Sequence, residues 1–386
     1  MKSNPGLHVL LLGLALPVAA VETWTVQSSG TKANLTGVAC PNANTCYAVG
    51  DSGVILKNSN GSAYWIKQAS GTAVNLISLS FVDALNGYVL AGDGSVLKTT
   101  NGGISWVLQS GFTGVSYLFF ADANNGHGLS GTSVRNTMDG GLTWTSSPSP
   151  WLSNNDAIRS TCFVDAKVGY IVTYFYQFYI VSDIYGYTAY LWQNNLYKTT
   201  DAGVTWSRVS ALASGGGGGV SPGVDAPYSL HFLDANRGYA VGGDSILATS
   251  DGGATWTHQS NGTKNRLRSV GFQNAGFVYA VGDSGAVLET QNGGVDWKVV
   301  IAGFTKYNLN DIKVVDSTAY IVGNGGFIMK KTGQPVSVMN TRSMTRSARH
   351  PIGVPGYTFE LPDHQVFNLL GQKPMRRALS LPHKVR

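Results

Sequence analysis

The amino-acid sequence predicts an all-β protein: a seven-bladed β-propeller with four-stranded blades, closed by its N-terminal strand and followed by a largely irregular C-terminal tail. The first observation is a composition of 49 glycines and only 12% charged residues in 386, which argues against helical and coiled-coil proteins. The second is a repeat, because seven tryptophans fall at positions 24, 65, 106, 144, 206, 256 and 297, and four of the six intervals lie within three residues of 41. The third is that the two chain ends carry complementary partial repeats.

Five of these tryptophans close one octapeptide, which has Thr first, Asn or Asp third, Gly fifth and Trp eighth. The third residue can hydrogen-bond its own backbone two residues on, and glycine accepts a positive φ, so the octapeptide predicts a tight turn. The closing tryptophan then buries a large ring between sheets. A degenerate sixth copy spans Asn58 to Trp65. The predicted structural residues of the five turns are Asn101, Trp106, Asp139, Trp144, Asp201, Trp206, Asp251, Trp256, Asn292 and Trp297.

Three short strands precede each octapeptide and one follows it. Residues 87–98 show two β-rich runs joined by Gly, Asp and Ser, which is typical of a hairpin, and Ile77–Phe81 is an upstream strand. Four strands (a, b, c and d) per unit of roughly 40 residues define a propeller blade. The chain begins with a lone d strand at Trp24 and ends with a, b and c strands between Asn310 and Lys331. Pairing these ends closes a seven-bladed ring, whereas an open solenoid, the alternative, leaves them apart.

The chain divides into three parts by composition. Lys2, the apolar run Leu7–Leu16 and Ala20 predict a signal peptide over residues 1–20, because the run is too short to span a bilayer. The propeller is predicted over 21–332 and a basic tail over 333–386. The formal charge of +6 belongs to that tail, so attraction to nucleic acid is not expected of the propeller. We expect an exported protein of the periplasm, cell surface or medium.

The three cysteines are consistent with export. Cys40 and Cys46 flank a five-residue turn, so a hairpin disulfide is plausible in an oxidising compartment, and a close pair of buried thiols is the alternative. Cys162 is left over and is expected to pack as a small apolar side chain.

The octapeptides match the Asp-box, or bacterial-neuraminidase repeat. Together with blocks such as Tyr279-Ala-Val-Gly-Asp-Ser-Gly285, residues 21–332 resemble the photosystem II stability/assembly factor family. The resemblance implies a seven-bladed, lumen-facing propeller without catalytic activity, which acts as an assembly chaperone for a membrane protein. It therefore implies a protein partner, which could be a membrane or envelope complex, a lumenal location if the host is photosynthetic, and no cofactor or metal. We expect a monomer.

Asp-boxes also occur in sialidases and some endoglucanases, so a glycan-binding protein or a glycoside hydrolase is the alternative. A glycosidase needs two facing carboxylates, and no pair is marked by its context among Asp156, Asp183, Asp225 and Asp311. No nucleophile-elbow, zinc-protease, P-loop or dinucleotide motif is present. His127, His231 and His258 are scattered over different blades and are interpreted as structural. We predict no catalytic residue.

The irregular repeats predict a binding surface on one face of the propeller, where the b–c and d–a connections lie. An insertion over residues 170–192 predicts an elongated b–c hairpin with Tyr174, Tyr176 and Phe178 on one side. The glycine run 214–219 is predicted to lie in a d–a loop on the same face. Exposed aromatic surface invites a partner. The further aromatic candidates are Tyr179, Tyr185, Tyr187, Trp192 and Trp151.

Alignment of the a strands places three large polar side chains at the mouth of the central channel. The residues that enter these strands include Arg159, Tyr228 and Arg268, from three consecutive blades. Two guanidinium groups and a phenol suit a carboxylate or phosphate group. The resemblance adds that the family carries an arginine-rich patch, of which Arg159 and Arg268 would be the counterpart. Pairing of these arginines with Asp156 or Asp311, or plain solvation, is the alternative.

The tail holds two short motifs, Phe359-Glu-Leu-Pro362 and Val366-Phe-Asn-Leu-Leu-Gly-Gln-Lys373. This pair is similar to the C-terminal sorting domain of type IX secretion cargo, although only three residues separate the motifs here. The alternative is a disordered basic extension.

Overall fold

The computed structural model describes residues 23–109, 114–129, 133–148, 157–180, 188–218, 229–301 and 305–332. They form seven four-stranded antiparallel sheets, each built from strands that follow one another along the chain, except the last. The predicted all-β, seven-bladed propeller is confirmed. A second unit, Ser337–Arg386, which contains nearly all of the predicted tail, lies outside the described residues, as do the first 22 residues.

Strand β1 (Thr23–Gln27) belongs to the closing blade. Blades 1 to 3 contain β2 (Leu35–Asn42), β3 (Thr45–Gly50), β4 (Ile55–Ser59) and β5 (Ile66–Gln68), then β6 (Leu76–Phe81), β7 (Gly87–Ala91), β8 (Val96–Thr99) and β9 (Val107–Leu108), then β10 (Tyr117–Phe120), β11 (Gly126–Leu129), β12 (Ser133–Thr137) and β13 (Thr145–Pro148). In each blade the first strand is the inner strand of the ring and the last is the outer strand.

Blades 4 to 6 contain β14 (Ala157–Phe163), β15 (Gly169–Ile180), β16 (Thr188–Thr199) and β17 (Ser207–Gly218), then β18 (Ser229–Phe232), β19 (Gly238–Gly242), β20 (Ser245–Thr249) and β21 (Thr257–Gln259), then β22 (Leu267–Phe272), β23 (Val278–Gly282), β24 (Val287–Thr290) and β25 (Lys298–Ile301). Blade 7 contains β26 (Leu309–Val315), β27 (Thr318–Gly323) and β28 (Ile328–Thr332). Single-turn 3₁₀ helices at Asp51–Gly53, Asp283–Gly285 and Asn324–Gly326 connect the second and third strands of blades 1, 6 and 7.

The ring closes between the two ends of the domain. Strand β1 pairs with β28, with Thr23 opposite Thr332 and Gln27 opposite Ile328. The last blade therefore takes its outer strand from the start of the chain, as the complementary end repeats predict. Blade 7 is further joined to blade 1 by the Asn310 side chain, whose Nδ2 donates to the Leu35 carbonyl at 2.8 Å.

Apolar residues fill the spaces between neighbouring blades. Four octapeptide tryptophans meet an aromatic ring of their own inner strand edge to face, as for Phe81 and Trp106 with ring centroids 6.0 Å apart, and Phe232 and Trp256 at 6.0 Å. The fifth, Trp297, meets Tyr239 of the preceding blade in the same geometry at 6.3 Å. Buried second-strand tyrosines, such as Tyr47 and Tyr88, pack into the same layer. Edge-to-face contact is a favoured geometry for aromatic pairs, so the repeated tryptophan fixes the spacing of the blades.

The octapeptides form tight turns as predicted, but the side chain of the third residue bonds the backbone four residues on rather than two. In blade 2 the Thr99 hydroxyl accepts from the Gly103 N–H at 2.9 Å, and the Asn101 Oδ1 accepts from the Ser105 N–H at 3.0 Å. Gly102 and Gly103 have positive φ, at 65° and 80°, a conformation that favours glycine. The fifth place is glycine in all five copies, whereas the fourth tolerates Ala202, with φ of 61°, in blade 4. The degenerate copy turns differently, because the Asn58 amide donates to the Ser62 carbonyl at 2.7 Å.

Candidate functional site

The seven inner strands surround a central cavity of about 650 Å³. Its wall is polar, and the polar groups join one inner strand to the next. The Thr36 hydroxyl donates to the Leu76 carbonyl at 2.6 Å, the Tyr117 hydroxyl donates to the Arg159 carbonyl at 2.6 Å, and the Ser160 hydroxyl accepts from the Leu230 N–H at 2.9 Å. These hydroxyl groups of the cavity wall therefore join neighbouring blades of the ring.

Asp311, one of the four candidate carboxylates, is part of this fastening. Its Oδ2 accepts from the Val38 N–H at 2.9 Å and its Oδ1 from the Ser269 hydroxyl at 2.8 Å, so it joins blades 1, 6 and 7. Burial raises the pKa of the Asp311 carboxyl. The other candidates, Asp156, Asp183 and Asp225, lie outside the described residues.

A β-bulge starts five of the inner strands, and it decides which side chains reach the channel mouth. The pairing with the second strand skips one residue in blades 1, 2, 4, 6 and 7. A bulge leaves its extra residue unpaired and re-aims the side chain. The skipped residues, Thr36, Ile77, Arg159, Arg268 and Asn310, all line the central cavity. The repeat alignment therefore selects the correct positions, for a reason that the sequence does not show.

Arg159 and Arg268 lie at this mouth, each with an interaction inside its own blade. The Arg268 guanidinium forms an ion pair with Asp283, which belongs to the turn between the second and third strands. The alternative in which this arginine pairs with Asp311 is thus wrong, because the bulge turns the side chain toward the Asp283 turn, and Asp156 lies outside the described residues. The Arg159 guanidinium lies over the Tyr174 ring, 4.6 Å from its centroid. Tyr228 lies outside the described residues.

A second cavity of about 440 Å³ opens at the same mouth. Its lining joins the first, sixth and seventh blades and consists of Asn34, Thr36, Asp51, Arg266, Arg268, Asn310 and Asn324. Amides and hydroxyls, two guanidinium groups and one carboxylate suit a polar ligand such as a peptide backbone or a carboxylate. The alignment of the repeats missed three residues of this site, Arg266, Asp51 and Asp283, because they lie in connections rather than in the aligned strands.

The blade 4 insertion forms a long antiparallel ribbon. Strands β15 and β16 pair along their whole length, with Tyr176 opposite Trp192 and Phe178 opposite Tyr190. Strand β17 adds a third strand, in which Gly215 to Gly218 pair with Trp192 to Ala189. Assignment of the glycine run to a loop is therefore wrong up to Gly218, because the lengthened third strand offers backbone partners that a normal blade lacks. The remaining aromatic candidates lie outside the described part of the chain. This holds for the side chains of Tyr176, Phe178, Tyr179 and Trp192, and for the whole of Tyr185, Tyr187 and Trp151.

The three cysteines make contacts that stabilise the fold. A disulfide joins Cys40 to Cys46 in the hairpin of blade 1. Cys162 is buried, its Sγ accepts from the Phe232 N–H at 3.2 Å, and burial raises the pKa of its thiol to about 11. Within the described ranges no group of three or more His, Cys, Asp or Glu residues could hold a metal ion, and no helix is long and apolar enough to cross a membrane.

The blade geometry, the octapeptide turns and the bulged channel mouth define the class: an Asp-box, seven-bladed β-propeller. The family model described as Photosynthesis system II assembly factor YCF48 matches residues 222–298. The chain is thus a propeller similar to photosystem II assembly factors, with the sequence likeness concentrated in blades 5 and 6. No sequence among the curated proteins matches the chain.

Solved structures share the fold. "YCF48 bound to D1 peptide" is 16% identical, covers 81% of this chain and 97% of its own, and has a TM-score of 0.61. YCF48 from Cyanidioschyzon merolae is 15% identical, with 80% and 98% covered and a TM-score of 0.60. The WD40 propeller domain of Doa1, at 11% identity, covers 81% and 97% with a TM-score of 0.56. At these identities the likeness is one of fold.

Proposed function

We propose that this chain is a non-catalytic propeller that binds a segment of a protein partner on the face that carries the channel mouth and the ribbon. The observation that carries the proposal is the delivery of two arginines, by equivalent bulges in blades 4 and 6, to the mouth beside the ribbon of blade 4. The family model supports a role as a scaffold or assembly chaperone. A relative of the same fold has been solved with a bound D1 peptide.

The chemistry of the mouth favours a segment that brings a carboxylate. Arginine presents a planar fork of donors that matches a carboxylate with two parallel hydrogen bonds. The Tyr174 ring stacks on the Arg159 guanidinium and restrains its orientation, which lowers the entropy that binding would remove. At Arg268 a ligand carboxylate would replace Asp283. The proposal includes export, with the mature chain meeting an envelope or membrane complex as a monomer.

The experiment begins with crosslinking and mass spectrometry in the native host, which identifies the partner and the residues that it touches. Binding of that partner is then compared between the full chain and the Arg159→Ala/Arg268→Ala variant. Removal of both arginines should weaken binding by about tenfold or more, since hydrogen bonds to charged groups contribute about 1.5–3 kcal/mol each. The matched control is Arg237→Ala, because Arg237 forms an exposed ion pair with Asp234 on the opposite face.

A deletion variant tests the ribbon. Deletion of residues 173–189 should leave the propeller folded and abolish binding of the crosslinked partner. Unchanged affinity in both the deletion and the double-arginine variant would remove this function.

The aromatic ribbon also favours a second candidate, glycan binding or glycoside hydrolysis, because tyrosine and tryptophan rings stack on sugars. Strands β15 and β16 bring six aromatic residues into adjacent register: Tyr174, Phe175, Tyr176, Phe178, Tyr190 and Trp192. A glycan array with a turnover assay separates the two candidates. Glycan binding that the ribbon deletion abolishes, without a crosslinked protein, would establish the second candidate.

A further inference from the structure

The face opposite the channel mouth carries a ring of exposed aliphatic side chains. This Asp-box face consists of the turns between the first and second strands and the octapeptide turns between the third and fourth. The sixth residue of the octapeptide is aliphatic in every copy, and the four larger ones are exposed by 81%, 73%, 62% and 77% at Ile104, Leu142, Val204 and Val295. Ala63 and Ala254 are exposed at the same place in blades 1 and 5.

The turn itself does not require these side chains. Its hydrogen bonds involve the first, third, fifth and seventh residues, such as Thr137, Asp139, Gly141 and Thr143 in blade 3, and the eighth is the packed tryptophan. The sixth side chain points to solvent and makes no contribution to the turn. Single exposed apolar residues are ordinary, but an apolar set on one surface marks an interaction site.

The ring is held in place by the hydrogen bonds within each turn and, in blades 1, 2 and 3, by anchoring from the blade before. The Tyr47 hydroxyl and the Lys57 ammonium both donate to the Gly102 carbonyl at 2.7 Å, and Lys98 donates to the Gly140 carbonyl at 2.7 Å. The aliphatic side chains are thus held on fixed turns, so little backbone freedom is left for binding to remove.

The surroundings of the ring are anionic. The turns between first and second strands carry Asp83, Asp122, Asp165, Asp234 and Asp316, and the octapeptide turns carry Asp139, Asp201, Asp251 and Asp296. In the same turns the cations are Lys167 and Arg237, and Arg237 is paired with Asp234. Four more ammonium groups reach these turns from neighbouring strands and donate to backbone carbonyls, namely those of Lys57, Lys98, Lys198 and Lys330. The nine aspartates outnumber these six cations. Hydrogen bonds lower the pKa of Asp83 and Asp122, and those of Asp139 and Asp251 to about 2, so these groups are ionised at neutral pH.

We propose that the Asp-box face is a second docking surface, whose occupant is a cationic amphipathic segment of another protein. Its apolar side chains would cover the aliphatic ring, and its lysines or arginines would meet the surrounding aspartates. An anionic bilayer is disfavoured by the same carboxylates. This surface lies on the face opposite the arginine mouth, so the inference goes beyond the proposed function and stands or falls independently of it. Both together would let one propeller bridge two partners of opposite charge.

The probe is a short Leu/Lys amphipathic peptide, compared with a Leu/Glu peptide of the same pattern and titrated by calorimetry against the full chain. The ring variant is Ile104→Ser/Leu142→Ser/Val295→Ser. The matched control is Val26→Ser/Val107→Ser/Val299→Ser, which removes three exposed apolar side chains from outer strands. Urea unfolding of each variant verifies that the fold is intact, and the single variants Ile104→Ser and Val295→Ser serve if the triple variant does not fold.

The Leu/Lys peptide should bind with an affinity that falls as salt is added, and the Leu/Glu peptide should bind much more weakly. The ring variant should weaken binding about tenfold or more, since each aliphatic side chain loses its burial, and the control should bind as the parent does. Equal affinity for the ring variant and the control, or binding of the Leu/Glu peptide as tight as that of the Leu/Lys peptide, would overturn the proposal. Binding to phosphatidylserine vesicles without binding to the Leu/Lys peptide would overturn it in favour of a membrane surface.

Discussion

The ammonium group of Lys331 lies 2.7 Å from the carboxylate of Glu289, inside the joint between the sixth and seventh blades. Both side chains are buried, and the ammonium also donates to the Tyr279 hydroxyl at 2.8 Å. In the joints after blades 1, 2 and 4 a tyrosine and a lysine donate to backbone carbonyls of the next blade, as Tyr170 does to the Ala235 carbonyl at 2.7 Å. Blade 7 has no octapeptide. At its joint with blade 6 the lysine therefore comes from the later blade instead of the earlier one, and its partner is the Glu289 carboxylate of blade 6.

Removal of Lys331 should destabilise the closed ring. Lys331→Met leaves the Glu289 carboxylate buried and without its cation, which costs about 3–5 kcal/mol of unfolding free energy in comparable pairs. The expected result is a markedly lower urea midpoint at neutral pH. The Glu289→Leu/Lys331→Met variant should recover much of the loss because no buried charge remains.

The control for that experiment is an ion pair of the same type at the surface. Lys264 lies 3.3 Å from Asp244 and is 93% exposed, so Lys264→Met should change the unfolding free energy by about 0–1 kcal/mol. If Lys331→Met matches this small effect, the buried pair does not hold the ring closed.

His231 should make stability depend on pH. Burial, and then the Lys313 ammonium, lower the pKa of the His231 imidazole to about 4, whereas the unfolded value is near 6.5. Because the folded value is the lower one, the contribution is fully present above about pH 6.5 and is lost as the pH falls toward about 4. The free energy of unfolding should fall by up to about 3 kcal/mol across that window.

The His231→Phe variant should show a flatter pH dependence by urea unfolding, even if it is less stable at every pH. His258→Gln is the matched control, since His258 is exposed and its Nε2 meets only the Ser245 hydroxyl, at 3.3 Å. The same slope in His231→Phe as in the parent would contradict this assignment.

The carboxylates of the octapeptide turns should stay ionised at unusually low pH. Asp251 accepts from the Thr255 hydroxyl at 2.6 Å and from the Thr255 N–H at 2.9 Å, and these bonds lower the pKa of its carboxyl to about 2. Because the folded value lies below the unfolded one, the stabilisation is complete above about pH 4 and disappears as the pH falls through about 2.

The measurement for this prediction is the carboxyl carbon shift of Asp251 by NMR as a function of pH, with an expected midpoint near 2. Blade 2 supplies an internal control, because Asn101 accepts from the Ser105 N–H at 3.0 Å without a titrating group. A midpoint near 4 for Asp251 would show that the hydrogen bonds of the turn do not favour the carboxylate.

The cysteines should be distinguishable by reactivity. No thiol of the intact protein should react with a thiol reagent, because Cys162 is buried and its thiol pKa is raised to about 11. One thiol should react after unfolding without reductant, and three thiols should react after unfolding with reductant. The Cys40→Ala/Cys46→Ala variant should lose about 2 kcal/mol of stability, as the loop-entropy relation gives for so short a loop. One reactive thiol in the intact protein would contradict the burial of Cys162.

The fold was accessible from the sequence because its determinants are local and repeated. An octapeptide with Thr at its first place and Gly at its fifth makes the same turn wherever it occurs, as the equivalent bonds from Gly103 to Thr99 and from Gly253 to Thr249 show. The mouth positions could also be aligned, since each lies at the start of an inner strand in a repeat of recognisable sequence. The partners of those residues could not, because Asp283 reaches Arg268 from a turn whose place depends on the twist of the blade.

The ribbon of blade 4 shows most clearly which features the sequence predicts and which only the tertiary structure decides. Its first two strands follow from the alternating aromatic residues between positions 170 and 192, but a run of glycines carries no pattern of buried and exposed side chains. Only the backbone pairing of Gly215 with Trp192 and Gly217 with Tyr190 makes the run a strand. The sequence by itself determined the number of blades and their turns, since these depend on residues close together in the chain. It also determined the closure, because the two ends of the domain carry complementary parts of one repeat. The tertiary structure decided which side chains face each other across the channel, across the Glu289–Lys331 joint and around the aliphatic ring, because these relations depend on how whole blades pack.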